Sequence, residues 1–293
     1  MIKIEMLRCF SVVARSGNLA DAATRLGRTQ SAISMTLKQL EDALGQKLFQ
    51  GERKSHLTPV GVQILALAQQ QVESFDTAIR DIEATARAPR GLLRIISVPS
   101  AAGSLVPRVA EDLLARYPGL QIDIRDGETE AVLNALGRGE ADLGIVSGEH
   151  ALRGVVSAPL FEDAFGLTCA RDHPLADWVG DLCFADTAGF DIVGNTLCRA
   201  LDHDGLQAAI AATALHAHNT LSLIGILQQG ARFTILPRAV VANLPGRLSF
   251  RPLRDLPARR TVSVLISERA SQREIAEECA AMLQVLCRQD GSP

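Results

Sequence analysis

Apolar residues recur every three or four positions through the first forty-five residues of the chain. This spacing places them on one face of a helix, and it is interrupted by glycines that can take the left-handed conformation at a helix end. The interrupting glycines are Gly17, Gly27 and Gly45. Asn18 and Thr29 each stand where a side-chain oxygen can cap the following helix. The pattern predicts three short helices, the last two joined by a turn typical of a helix-turn-helix.

The outward face of the third predicted helix is polar over its first turns. The residues on this face are Gln30, Ser31, Ser34, Met35 and Lys38. In a DNA major groove, Gln pairs with adenine through two hydrogen bonds, Ser donates or accepts one, and Lys reaches guanine or phosphate. A polar stripe is also what a helix presents to solvent, and for an isolated helix solvation is the commoner interpretation.

A small wing is predicted directly after this helix. Residues 47–50 and 55–58 form two short extended stretches on either side of a turn. The turn carries Arg53 and Lys54, which a hairpin would present toward a DNA backbone. A wing beside a polar helix favours DNA binding over simple solvation of that helix.

A long helix is predicted to begin at Pro59, since proline suits the first helical position. Its apolar residues alternate in steps of three and four, which is the spacing of a dimeric coiled coil. They are Leu65, Ala68, Val72, Phe75, Ile79 and Ile82. Packing of this helix onto its own domain is the alternative interpretation.

Strands and helices alternate beyond a predicted hinge at residues 88–91. The predicted elements are strand 92–98, helix 101–116, strand 120–124, helix 128–138, strands 143–146, 165–170 and 190–193, helices 204–213 and 220–229, strands 233–236, 247–250 and 260–267, and helix 271–288. Such alternation predicts an α/β fold with helices covering the sheet. His216 and His218 are expected on a further short strand.

Charge is distributed unevenly along the 293 residues. The whole chain has a net charge of -3, but residues 1–60 hold nine basic and five acidic residues, while residues 91–293 hold eighteen and twenty-four. All four lysines lie in the first sixty residues. A basic head on an acidic body indicates that only the head contacts phosphate.

Several functional classes are disfavoured by what the sequence lacks. No apolar run is long enough for a membrane span, and charges at Lys3 and Glu5 interrupt any signal peptide, so we expect a cytoplasmic protein without a membrane partner. The six cysteines show no Cys-x-x-Cys spacing, and the motifs of common hydrolases, dinucleotide sites and metalloproteases are missing. We therefore expect no metal, no cofactor and no enzyme, with an α/β enzyme of unrecognised active site as the alternative.

Residues 22–61 resemble the winged head of the LysR-type transcriptional regulators. The matching motifs are Ala22-Ala23-x-x-Leu26-Gly27-Arg28-Thr29-Gln30-Ser31-Ala32-Ile33-Ser34, Leu37-Lys38-Gln39-Leu40-Glu41-x-x-Leu44-Gly45-x-x-Leu48-Phe49 and Leu57-Thr58-x-x-Gly61. The resemblance is close over about the first ninety residues. It implies DNA contacts by Arg28, Thr29, Gln30, Ser31, Ser34, Met35, Lys38, Arg53 and Lys54. Ser31 stands where the family usually has proline, and Met35 where a basic residue is common.

The resemblance also implies the domain organisation. A winged helix-turn-helix, all-α apart from its wing, would occupy residues 1–58, and a dimerising linker helix would occupy 59–90. Residues 91–293 would form a two-lobed α/β effector domain like a periplasmic binding protein. Lobe I would comprise 91–162 and 268–293 and lobe II 163–267, with the chain crossing near Ser147 and Ser267.

Double-stranded operator DNA, a small-molecule effector, a second copy of the chain in a homodimer or homotetramer, and RNA polymerase are the partners that the resemblance implies. In open α/β sheets, ligands bind beyond the carboxyl ends of the strands. The residues expected there are Ser100, Ala101, Thr129, Ser147, Asn195, Thr196 and Cys198. Their hydroxyl and amide groups suit a small organic acid.

A thiol sensor that uses Cys198 is the alternative within the same family. The peroxide-sensing branch pairs such a cysteine with a second one nine residues later, and that position holds Gln207 here. A buried or pocket-lining cysteine is the preferred interpretation. His203, His216 and His218 lack a carboxylate or thiol at recognisable metal-ligand spacing, so they are expected to be structural.

Overall fold

The head folds into the three helices that the glycine pattern predicts. The computed structural model describes residues 1–51, 54–87, 91–242 and 246–289, without the side chains of residues 80, 81 and 84–87. The head helices are α1 (Ile4–Ser16), α2 (Leu19–Leu26) and α3 (Gln30–Leu44). Asn18 Oδ1 accepts the Asp21 N–H at 2.8 Å and Thr29 Oγ1 accepts the Ala32 N–H at 3.3 Å, so both predicted caps are present. The predicted helix-turn-helix is confirmed.

Apolar side chains from all three helices fill the head. Phe10, Ile33, Leu37 and Leu40 are almost completely buried there. The Phe10 ring meets the Phe49 ring edge-on, with centroids 5.5 Å apart. Burial of one face of α3 leaves its opposite face to solvent.

The wing and the long helix follow as expected. Strand β1 (Phe49–Gln50) pairs antiparallel with β2 (His56–Leu57), and α4 spans Pro59–Arg87. Thr58 Oγ1 accepts the Gly61 N–H at 2.9 Å and donates to the Lys47 carbonyl at 2.8 Å, so one side chain joins the start of α4 to the wing. Arg53 and the predicted hinge at 88–90 lie outside the described residues.

The chain divides into two compact units, Met1–Arg87 and Ala88–Pro293. The second unit has strands β3 (Leu92–Ser97), β4 (Gln121–Asp126), β5 (Leu143–Ser147), β6 (Val155–Ala170), β7 (Asp191–Ile192), β8 (Arg232–Pro237), β9 (Leu248–Arg251) and β10 (Arg259–Ser267). Its helices are α5 (Pro99–Ala102), α6 (Val106–Arg116), α7 (Thr129–Gly137), α8 (Asp204–Ala212), α9 (Thr220–Leu227), α10 (Arg238–Ala242) and α11 (Arg273–Gln289). The predicted two-lobed α/β fold is confirmed.

Strand β6 is shared by the two lobes. Its first part pairs with β10, which in turn pairs with β5, and its last part pairs with β8 and β9. In lobe I the parallel strands β4, β3 and β5 continue the sheet, and in lobe II β7 pairs parallel with β8. Both lobes therefore meet where β6 and β10 cross between them.

Three predictions about the second unit were wrong. Strand β10 was assigned to lobe II, but it pairs with β5 throughout residues 262–266, so the chain returns to lobe I near Arg259 rather than near Ser267. The predicted helix 101–116 is two helices, because Pro107 has no N–H for a helical bond and its ring would clash with the preceding turn. His216 makes only an isolated bridge to Gly194, and His218 lies outside every strand.

A buried ion pair lies at the crossing. Arg260 of β10 stands directly opposite Asp163 of β6, and its Nη2 is 2.9 Å from Asp163 Oδ2. The same Nη2 donates to Ser100 Oγ at 2.7 Å, and Asp163 Oδ1 accepts the Ala239 N–H at 3.1 Å. Burial raises the pKa of Asp163 and lowers that of Arg260, and each effect is opposed by the charge of the partner. The pair thus joins α5, β6, β10 and α10.

Among the described residues, no helix combines the length and apolar composition required of a membrane span.

We predict that Asp163→Ala destabilises the second unit by about 3–5 kcal/mol, because it leaves the buried Arg260 guanidinium without its counter-ion. Urea unfolding followed by circular dichroism measures this loss. Glu162→Ala is the matched control, since Glu162 pairs with Arg259 one position away at 3.0 Å but on the exposed side of the strands. Equal loss of stability in the two variants would contradict a special role for the buried pair.

Candidate DNA interface and effector cleft

The outer face of α3 presents the predicted base-reading residues to solvent. Gln30, Ser34 and Lys38 lie four residues apart on this face and are exposed, as are Ser31 and Met35. These side chains stand on a helix whose other face is fixed in the head core. The arrangement gives a row of hydrogen-bonding groups on a rigid support.

The start of α3 adds two further predicted residues. Thr29 Oγ1 lies 3.0 Å from Ser31 Oγ as well as capping the helix. Arg28 is exposed and its Nη2 lies 3.9 Å from Glu5 Oε2. Both residues are therefore at the surface beside Gln30, where the sequence predicts them.

Lys54 lies elsewhere than predicted. Its Nζ lies 3.7 Å from Glu41 Oε1 and 5.5 Å from the centre of the Phe49 ring, and the side chain is only 17% exposed. Its backbone has a φ of 56°, which is left-handed and uncommon for a residue with a side chain. Lys54 fastens the wing to α3 rather than projecting freely from the tip.

The strand ends of both lobes meet at the crossing. β5 ends at Ser147, opposite Val262 of β10, and β8 ends at Pro237, opposite Phe165 of β6. The carboxyl ends of β3 and β5 in lobe I and of β8 in lobe II thus point to the same region. This geometry is the one in which ligands bind to open α/β sheets.

The predicted effector residues of lobe I form two groups. Ser100 is buried and accepts the hydrogen bond from Arg260, while Ala101 is buried in α5 with its N–H bonded to the Val98 carbonyl at 3.0 Å. Thr129 Oγ1 accepts the Ser147 N–H at 3.1 Å. His150 Nε2 lies 2.9 Å from the Ser147 carbonyl, so this imidazole joins the second group.

The predicted residues of lobe II are tied to one another. Asn195 Nδ2 donates to Thr234 Oγ1 at 2.9 Å and to the Ile235 carbonyl at 3.1 Å, and its Oδ1 accepts the Cys198 N–H at 3.0 Å. Asn195 thereby holds the turn after β7 against β8. Thr196, which begins the 3-10 turn Leu197–Ala200, is exposed.

Cys198 has the surroundings of a structural thiol. It is fully buried, and its Sγ lies 3.4 Å from the Ile235 carbonyl. Burial raises the pKa of the thiol, which disfavours the reactive thiolate. Gln207, at the position of the second cysteine of the peroxide-sensing branch, donates to the carbonyls of Cys198 at 3.0 Å and Leu201 at 2.6 Å. These contacts favour the buried-cysteine interpretation over a thiol sensor.

The sequence analysis missed four residues that organise these sites: Asp163, Arg260, Glu41 and Lys47. Each is charged and belongs to a predicted element or its border. The detectable signal was a charged residue in or beside an apolar stretch, as at Arg260 before Val262, but its partner could not be read from spacing. Among the described residues, no group of three metal-binding side chains is placed to hold an ion.

Two family models match the two units of the chain. The model "Bacterial regulatory helix-turn-helix protein, lysR family" matches residues 4–62, and the model "LysR substrate binding domain" matches residues 86–288. The protein belongs to the LysR family. It is a LysR-type transcriptional regulator with a DNA-binding head and an effector-binding domain, as the resemblance implies.

Similar proteins of known name include two bacterial activators. A probable hydrogen peroxide-inducible genes activator of Streptomyces viridosporus is 27% identical, over 97% of this chain and 94% of that protein. A probable nitrogen assimilation transcriptional activator of Synechococcus elongatus is 27% identical, over 91% of this chain and 89% of that one. The two relatives respond, by name, to different conditions, so the family does not fix the signal.

Solved structures agree with the fold. The LysR family transcriptional regulator CbnR superposes with a TM-score of 0.63 at 18% identity, over 97% of this chain and 99% of that one. Full-length OxyR of Pseudomonas aeruginosa gives 0.54 at 22% identity, over 97% and 95%. At these identities the likeness concerns the fold alone.

Proposed function

We propose that this regulator reads operator bases with the exposed face of α3 and responds to a small organic acid bound at the crossing of the two lobes. The observation that carries the first part is the exposed row of Gln30, Ser34 and Lys38 on a helix anchored by its buried face. Rigid support matters because base contacts need a side chain placed to within a fraction of an ångström. CbnR, which shares the fold, has been solved with its target DNA.

Gln30→Ala should weaken binding to the operator by about 1–3 kcal/mol and leave binding to arbitrary DNA nearly unchanged, because a two-bond contact to a base carries sequence information. Fluorescence anisotropy on an operator recovered by selection and on a scrambled duplex measures both. Gln39→Ala is the matched control, since Gln39 is exposed two and a half turns along α3 and thus on the opposite side. Equal weakening on the two duplexes would show that α3 does not read bases.

The exposed residues of α4 support a dimer. Ala68 is buried in the head core and Leu65 is partly buried against it, so these two residues belong to the head. Phe75, Ile79 and Ile82 are 42%, 40% and 64% exposed, although their spacing is that of a coiled-coil seam. We infer that a second copy of the chain covers these residues and places two recognition helices on one operator.

Phe75→Asp should convert the dimer to a 31.4 kDa monomer, because a carboxylate in an apolar seam lacks a partner. Light scattering after size exclusion reports the mass. Leu67→Asp is the matched control, since Leu67 is 62% exposed on α4 but off the seam. A Phe75→Asp chain that keeps the wild-type mass would remove the coiled-coil interpretation.

The effector proposal depends on the polar groups at the crossing. Ser100 and Thr129 bring hydroxyls from lobe I, and Arg238 is exposed at the first position of α10, where β8 ends. A guanidinium and hydroxyls at one edge suit a carboxylate ligand. The family membership supports a regulator rather than an enzyme, and we propose no catalytic residue.

A small carboxylic acid should raise the melting temperature of the full chain, because a ligand that binds only the folded state stabilises it. The probes are a panel of mono- and dicarboxylates beside the matching neutral amides. Ser100→Ala and Thr129→Ala should lose this rise, whereas Ser222→Ala, on exposed α9, should keep it. Amides that act as well as acids, or an unchanged rise in both cleft variants, would contradict the proposal.

A further inference from the structure

A groove of about 600 Å³ lies between α3 and the wing. Ser34, Lys38 and Glu41 of α3 line one side, and Lys47, Phe49 and Lys54 of the wing segment line the other. Ser34 and Lys38 also belong to the exposed face that we propose to read bases. Any DNA that meets this face therefore lies at the mouth of the groove.

Lysines are concentrated in this groove. Three of the four lysines of the chain line it, and Glu41 is the one carboxylate among its described lining residues. The local charge is thus +2 in a chain whose net charge is -3. A concave site with this charge attracts an anion.

Glu41 sets the positions of the wing lysines. It is buried, and its carboxylate accepts the Leu48 N–H at 3.0 Å and a hydrogen bond from Lys47 Nζ at 2.8 Å, with Lys54 Nζ at 3.7 Å. Burial raises the pKa of Glu41, but the two lysines and the Leu48 N–H together outweigh this effect and lower it. The carboxylate stays ionised and holds both ammonium groups beside the groove.

The two wing lysines differ in exposure. The Lys47 side chain is 70% exposed, whereas that of Lys54 is 17% exposed against Phe49. Lys47 can therefore turn toward a ligand while it remains near Glu41. Lys54 contributes charge from behind and fixes the wing.

We propose that this groove binds a backbone phosphodiester of duplex DNA, with Lys38 and Lys47 as the two cationic contacts and Glu41 as their positioning residue. The proposal rests on the proposed DNA-binding function and adds Lys47 to its contacts. Phosphate contacts fix the register of a protein on the duplex without reading sequence. The groove thus sets how α3 enters the major groove.

The test is the salt dependence of binding to a fixed 30-base-pair duplex of arbitrary sequence. Each lost phosphate contact should lower the slope of log K against log salt by about 0.9. Lys47→Ala and Lys38→Ala should each show this change, so that their affinity loss from 50 to 200 mM salt is about threefold smaller than that of the wild type. Lys3→Ala is the matched control, because Lys3 is exposed, carries the same charge and lies before α1, outside the groove.

The outcomes separate this proposal from the function on which it rests. If the wild-type chain failed to bind the duplex at all, the DNA-binding function itself would fail. If the wild type bound but Lys47→Ala and Lys3→Ala gave the same slope, the groove would be overturned and the function retained. Inorganic phosphate, compared with chloride at matched ionic strength, is the second probe: a phosphate-specific rise in melting temperature that Lys47→Ala removes would make a free anion the ligand instead.

Discussion

The buried pair between Arg260 and Asp163 is the constraint on which the effector unit depends. The two residues face each other on the strands that connect the lobes, and neither charge can leave its partner without a large desolvation cost. Ser100 and the Ala239 N–H complete the hydrogen bonds of the pair, so α5 and α10 are held at the same point. The base of the cleft is therefore rigid, and an effector there meets a preformed set of groups.

The head uses the same physical device for another purpose. Glu41 is buried in α3 and keeps its charge through Leu48, Lys47 and Lys54, so that one carboxylate fixes the wing relative to the recognition helix. In both units a buried carboxylate sets the position of cationic side chains. The difference lies in exposure, since Arg260 is enclosed whereas Lys47 is largely open to solvent.

Local features of the structure could be predicted from the sequence, whereas its long-range pairings could not. The caps at Asn18 and Thr29 and the exposed face of α3 depend on residues within one or two turns, and these predictions held. The bond between Ser100 and Arg260 joins residues 160 positions apart. No spacing rule reveals such a partner.

The errors have the same origin. An apolar strand such as β10 pairs equally well in either lobe as far as its own sequence shows, and only the pairing with β5 assigns it to lobe I. Lys54 was predicted from the charge of the wing tip, but the acidic partner that draws it inward is on α3. Cys198 has a position typical of a sensor, yet the contacts of Asn195, Ile235 and Gln207 around it are those of a packed core.

The central claim is that a dimer of this regulator reads base sequence with two copies of α3. Selection of duplexes from a random-sequence pool by the full chain tests it most directly. We predict enrichment of a two-fold symmetric sequence whose half-sites are separated by about 10 base pairs or a multiple of that distance. A pool that stayed random after repeated selection would contradict the claim, because binding would then depend on phosphates alone.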